Sequence, residues 1–191
     1  MSAPAPRSLF VSVTAWSLVA LGVLGVLLAL LTGLLALLIA SSGGEDLFSE
    51  VPLFSLMPPA LIWLMHHLGL VAGVVLVASV AAIPLGLALK QRQEWARVAS
   101  VWVCALLALL HVAAVPWQWL EVDRWFESMR ADLPWFARDG LDSFYWTTQL
   151  SGALFALVFA GAFAWTAWKL ARPAVSAEFR VQGGDPGSGA G

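Results

Sequence analysis

Residues 9–40 read LFVSVTAWSLVALGVLGVLLALLTGLLALLIA, a run without one Asp, Glu, Lys or Arg. A helix needs about 20 apolar residues to cross a bilayer. At about 1.5 Å per residue this run makes a helix of about 48 Å, longer than the hydrocarbon core, so it must tilt or project. A secretory signal has an apolar core of only about 7–15 residues, so the run is expected to stay in the membrane as an anchor. Ser41-Ser42-Gly43-Gly44 follows it as a helix stop.

The rest of the chain repeats the pattern. Its 191 residues hold 10 Lys and Arg against 12 Asp and Glu, for a net charge of -2. Those charges leave three more free windows, at 51–89, 98–120 and 143–168. The expected spans are 9–40, 61–89, 98–119 and 146–168. These runs are too long for barrel strands and do not alternate, and backbone groups in lipid must bond internally, so the spans are helices. The fold expected is an all-α, polytopic four-transmembrane-helix bundle, with interfacial amphipathic segments on its outer side. Residues 1–8 form a cytoplasmic N-terminus, 9–172 the membrane domain and 173–191 a disordered tail. Pro58-Pro59 precedes the second span, and Pro84 predicts a kink near its charged end.

Positive charge sets the orientation. Arg7, Lys90, Arg92, Arg97, Lys169, Arg172 and Arg180 fall on one side, and only Arg124, Arg130 and Arg138 on the other. Both termini are therefore expected in the cytoplasm of a bacterial inner-membrane protein. On the outer side, Val122, Trp125, Phe126, Met129 and Leu133 recur at helical spacing. They predict an amphipathic helix, ended by Pro134, whose apolar face is free for lipid or protein. Asp139-Gly140 reads as a turn, and Glu121–Arg124 and Glu127–Arg130 as pairs along the helix. The first outer loop, with Leu47, Phe48, Val51, Leu53, Phe54, Leu56 and Met57, has a similar aromatic and apolar pattern.

Several function classes are excluded. Nucleic-acid binding does not fit an acidic chain with one short, interrupted basic run. Cys104 is the only cysteine, so there is no intramolecular disulfide and no cysteine-based zinc site. This excludes four-helix disulfide-forming oxidoreductases and tetraspanins. No span carries an ionisable Asp, Glu, Lys or Arg, which argues against proton-coupled exporters and pumps. No catalytic motif and no metal-binding motif occurs.

Two sets of residues remain. His66 and His67, near the outer end of span two, lie at a depth similar to His111 of span three. One of the first two with His111 is a candidate pair for b-type haem, a metal ion or a quinone headgroup. The bland alternative is histidines bonded to backbone or headgroups, with no cofactor. Gly69 and Gly73 form a GxxxG step, and Gly152, Ala156, Ala160 and Ala164 mark every fourth position of span four. Such faces let helices approach closely in lipid. Gly22 and Gly25 interrupt span one.

The function expected is that of a non-enzymatic accessory or assembly subunit in contact with the lipid bilayer. It would meet another membrane or periplasmic protein, or a second copy of itself. A membrane redox protein and an oligomeric channel or transporter component are the alternatives.

Overall fold

A computed structural model describes residues 8–41, 59–132 and 138–183. Six helices occupy them: α1 Leu9–Ser41, α2 Pro59–His66, α3 Leu68–Lys90, α4 Glu94–Asp132, α5 Arg138–Ala171 and α6 Pro173–Gly183. Four of these (α1, α3, α4 and α5) are long and apolar enough to cross a membrane. Their large apolar side chains point outward: Val77 is 71% exposed and Trp102 72%. In water that surface would be ruinous; in lipid it is the solvent-facing side. The chain is an all-α, membrane-embedded four-helix protein.

The chain divides into two compact units. The terminal unit holds Met1–Ala29, Val74–Leu107 and Ala162–Gly191; the loop unit holds Leu30–Gly73 and Ala108–Gly161. Each long helix contributes a segment to each.

In the terminal unit, α1 and α3 pack antiparallel at glycines. A Cβ on Gly22 would stand 2.7 Å from Ile83 Cγ1 and 2.9 Å from the Ser79 carbonyl oxygen, and one on Gly86 2.8 Å from the Ala15 carbonyl oxygen. Only hydrogen at these positions lets the backbones meet. α3 ends in a Schellman motif. The Gln93 N–H donates to the Ala88 carbonyl (3.0 Å) and the Arg92 N–H to that of Leu89 (3.1 Å), with Arg92 left-handed at φ 60°. Glycine usually takes that place. Arg92 holds it because its guanidinium is needed there. It pairs with Glu178 of α6 and donates to the Ser8 carbonyl (3.2 Å). Arg97 bonds Glu94 (2.5 Å) and caps α5 by donating to the Leu170 carbonyl (3.1 Å).

Three sequence expectations change. The tail expected to be disordered from 173 is helical through Gly183. Pro173 suits a first helical turn, and Val175 and Phe179, one turn apart, are buried in a core with Val11, Leu89 and Leu170. Residues 184–191 lie outside the described residues. The amphipathic stretch after 121 is the unbroken continuation of α4, which runs through Pro116 to Asp132. Asp139-Gly140 belongs to the first helical turn of α5, where amide groups need no intrahelical partner.

The second span also differs from the single helix expected over 61–89. A turn at His67 separates α2 from α3, although i→i−4 bonding passes through it, from His67 N–H to Trp63 (3.0 Å) and from Val71 N–H to His67 (2.9 Å). Pro84 lies inside α3 without ending it. The aromatic stretch 47–57 and Pro134 lie outside the described residues.

In the loop unit, α4 and α5 are joined by polar side chains. The Gln118 amide fills the space above Gly152 and donates to the Thr148 carbonyl (3.5 Å). Gln149 is fully buried and donates to the Trp119 carbonyl (3.3 Å). The Tyr145 hydroxyl donates to Asp123. Phe126 is 1% exposed among the rings of Trp125, Phe144 and Tyr145, so the apolar face expected to be free is partly covered by α5. Glu121–Arg124 pairs as expected (2.9 Å), but Arg130 pairs with Asp142 rather than Glu127.

Candidate functional site

The site begins where α1 and α3 part in the loop unit. Gly33 and Ala72 are in ordinary contact, a Cβ on Gly33 lying 3.9 Å from that of Ala72. Three residues farther along α1 and one turn back along α3 stand Ala36 and Gly69. A groove of about 470 Å³ opens there, with Gly33, Ala36 and Ala40 on one wall and Met65, His66 and Gly69 on the other. Small residues on both walls leave room for side chains that neither helix supplies.

The six small residues of the expected packing faces separate sharply. Among the described residues, a Cβ on Gly69 or Gly73 meets no atom within 4 Å. Their GxxxG step therefore holds no contact between helices of this chain. Gly152 does hold one, against Gln118, and Ala160 is buried while Ala156 is partly so. Ala164 is exposed. Gly86 is a packing glycine that the sequence pattern did not single out. A GxxxG search passes over it because no glycine lies four positions away.

The three histidines have different neighbours. His66 is exposed at the groove, and its Nδ1–H donates to the Ile62 carbonyl (2.8 Å). His67 donates likewise to Trp63 (2.8 Å), and its ring stacks on that indole at 4.4 Å. With Nδ1 protonated, each neutral ring keeps Nε2 as an acceptor or a metal ligand. His111 packs toward α5, its ring 5.9 Å from that of Phe159. His66 thus opens toward α1 and His111 toward α5. Among the described residues, no three His, Cys, Asp or Glu side chains stand close enough to hold a metal ion.

The most polar residues within the spans are glutamines. Gln118 and Gln149 were legible only as uncharged members of apolar windows, yet they carry the α4–α5 contact. Their chemistry is that of interhelical hydrogen bonding, worth on the order of 1 kcal/mol each in lipid. No protein-family model, no curated protein and no solved structure matches the chain.

Proposed function

We propose that the chain is a non-enzymatic accessory or assembly subunit of a bacterial inner membrane, with both termini in the cytoplasm. It receives a transmembrane helix of a partner, another protein or a second copy, on the helix face of Gly69 and Gly73, next to the groove that Gly69 lines. One observation carries this reading. Among the described residues, the glycines at 22, 25, 86 and 152 have neighbouring atoms where a Cβ would be; Gly69 and Gly73 have none, as Gly140 and Gly161 have none, but only Gly69 and Gly73 are spaced as a GxxxG step on one helix face. In lipid no hydrophobic drive brings helices together, so close van der Waals approach at small residues is the main attraction available to a partner. The orientation is supported by the seven positive residues on the side of the termini against three opposite.

Purification in mild detergent tests the reading. The wild-type chain is expected to bring a partner chain with it in fixed ratio. The Gly69→Leu, Gly73→Leu variant, with unchanged helix content, is expected to run as a monomer. A wild-type protein that is itself a bare monomer overturns the reading.

A further inference from the structure

A second cavity, independent of the groove that Gly69 lines, lies wholly within the terminal unit. Its volume is about 350 Å³, and its wall includes Thr14 of α1, Leu85 of α3, Ser100 and Cys104 of α4, and Phe163 and Trp165 of α5. That volume is within the range of small-ligand sites, about 300–1,000 Å³.

Ser100 marks the interior. It is 2% exposed, and its Oγ has no hydrogen-bond partner among the described residues. Other hydroxyls on these helices fold back on their own backbone: Thr148 donates to the Phe144 carbonyl (2.8 Å) and Thr166 to that of Ala162 (2.8 Å). The Ser100 hydroxyl does not, and it lines the cavity as a buried donor. A buried donor in apolar surroundings favours an occupant with an acceptor.

Lys169 marks the mouth. Its ammonium lies 4.6 Å from the ring centre of Phe10 and 4.7 Å from that of Trp165, and both rings line the cavity. Among the described residues no carboxylate pairs with Lys169. Two other cations also lean on rings, Lys90 on Trp16 at 4.3 Å and Arg172 on Trp168 at 3.7 Å, but neither ring lines the cavity. The Lys169 ammonium therefore stands beside the cavity with no carboxylate partner among the described residues.

The depths of these groups are ordered. The Arg97 bond to the Leu170 carbonyl sets the level of the charged ends of α4 and α5. Ser100 lies one helical step of three residues farther in, about 4.5 Å along the axis. Beyond it the wall is mostly apolar, with Ser17, Cys104 and Thr166 the exceptions. Positive charge, then a hydrogen-bond donor, then a mostly apolar cleft matches phosphate, ester carbonyl and acyl chain in order.

We propose that this cavity binds one anionic glycerophospholipid. Its phosphate faces Lys169, an ester carbonyl accepts from the Ser100 hydroxyl, and one acyl chain fills the cleft past Cys104. A zwitterionic headgroup would bring a further cation to a mouth that already holds Lys169.

The test uses the full chain, delipidated in detergent and titrated with phosphatidylglycerol while bound lipids are counted by native mass spectrometry. Diester lipid is compared with its dialkyl-ether counterpart, which lacks the carbonyl. The wild type is expected to bind one diester lipid about five-fold more tightly than the ether lipid, the worth of one hydrogen bond. Ser100→Ala, a change too small to prevent folding, is expected to bind both alike at the weaker affinity. Lys169→Gln is expected to lose the preference for phosphatidylglycerol over phosphatidylcholine and to keep the ester preference. Equal binding of ester and ether lipid by the wild type overturns the proposal. So does an ester preference that survives Ser100→Ala. A quinone that copurifies one to one and resists displacement by phospholipid overturns it as well.

Discussion

Removing the Glu178 carboxylate should release α6. Glu178 joins three segments: it pairs with Arg92 at the α3–α4 turn, accepts from the Ser8 N–H at the start of α1 (3.3 Å), and sits on α6 itself. Arg92 is 6% exposed and Glu178 20%. In Glu178→Ala the guanidinium stays buried with only the Ser8 carbonyl to accept from it. Losing one partner of a buried pair costs about 3–5 kcal/mol; water reaching a fifth-exposed Glu178 argues for the lower end, about 3 kcal/mol. At about 1.4 kcal/mol per decade, the opening equilibrium of α6 then rises by roughly 100-fold. Amide hydrogen exchange over residues 173–183 reads that change directly. A double variant, Arg92→Met with Glu178→Leu, leaves no orphaned charge and should return to within about ten-fold of the wild type. Exchange in Glu178→Ala within three-fold of the wild type would refute the clasp.

Other outcomes follow from the same contacts. In the Glu178→Ala background, Arg92→Gly should recover about 1 kcal/mol of stability in detergent unfolding, because it relieves a left-handed residue whose guanidinium has lost its partner. Gly86→Ala should cost about 1–3 kcal/mol, since its Cβ meets the Ala15 backbone, whereas Gly69→Ala in the isolated protein should be neutral or gain up to about 1 kcal/mol from helix propensity. Phe126→Ala should cost about 3 kcal/mol by emptying the α4–α5 ring cluster; Gln149→Leu should change stability by no more than about 1 kcal/mol, because it removes both a bond to Trp119 and a buried, unpartnered Oε1. A cysteine at Ser128, in a chain with Cys104→Ala, should react with a membrane-impermeant maleimide in intact cells, and one at Gln93 only after the membrane is broken; the reverse pattern would contradict the orientation.

How much of this the sequence disclosed depends on whether charge or packing decides the feature. Residues 9–40 gave the first helix almost to the residue, because a charge-free run of that length has one stable form in lipid. Charge also marked the ends of the other spans. It could not show that α4 continues to Asp132, since a helix leaving the membrane becomes polar without having to stop. α6 was missed because its sequence is short and ends in a Gly-rich run; its stability comes from Phe179 and the Arg92–Glu178 pair, which are distant in sequence. The glycines show the limit most clearly. Lipid-facing and helix-facing residues are equally apolar, so Gly69 and Gly73 read like packing glycines, whereas Gly86, an isolated one, carries the contact. Likewise the histidines shared an expected depth, but depth says nothing about rotation around the helix, and His66 and His111 point to different neighbours.

The docking face is tested most directly by photo-crosslinking in native membranes, with a crosslinking residue in place of Gly73 and, as control, in place of Gly86. The expected result is a protein adduct of defined mass from position 73 and none from position 86, where the chain packs on itself. Lipid adducts alone from position 73, or the same protein adduct from both positions, would contradict the assignment of that face to a partner helix.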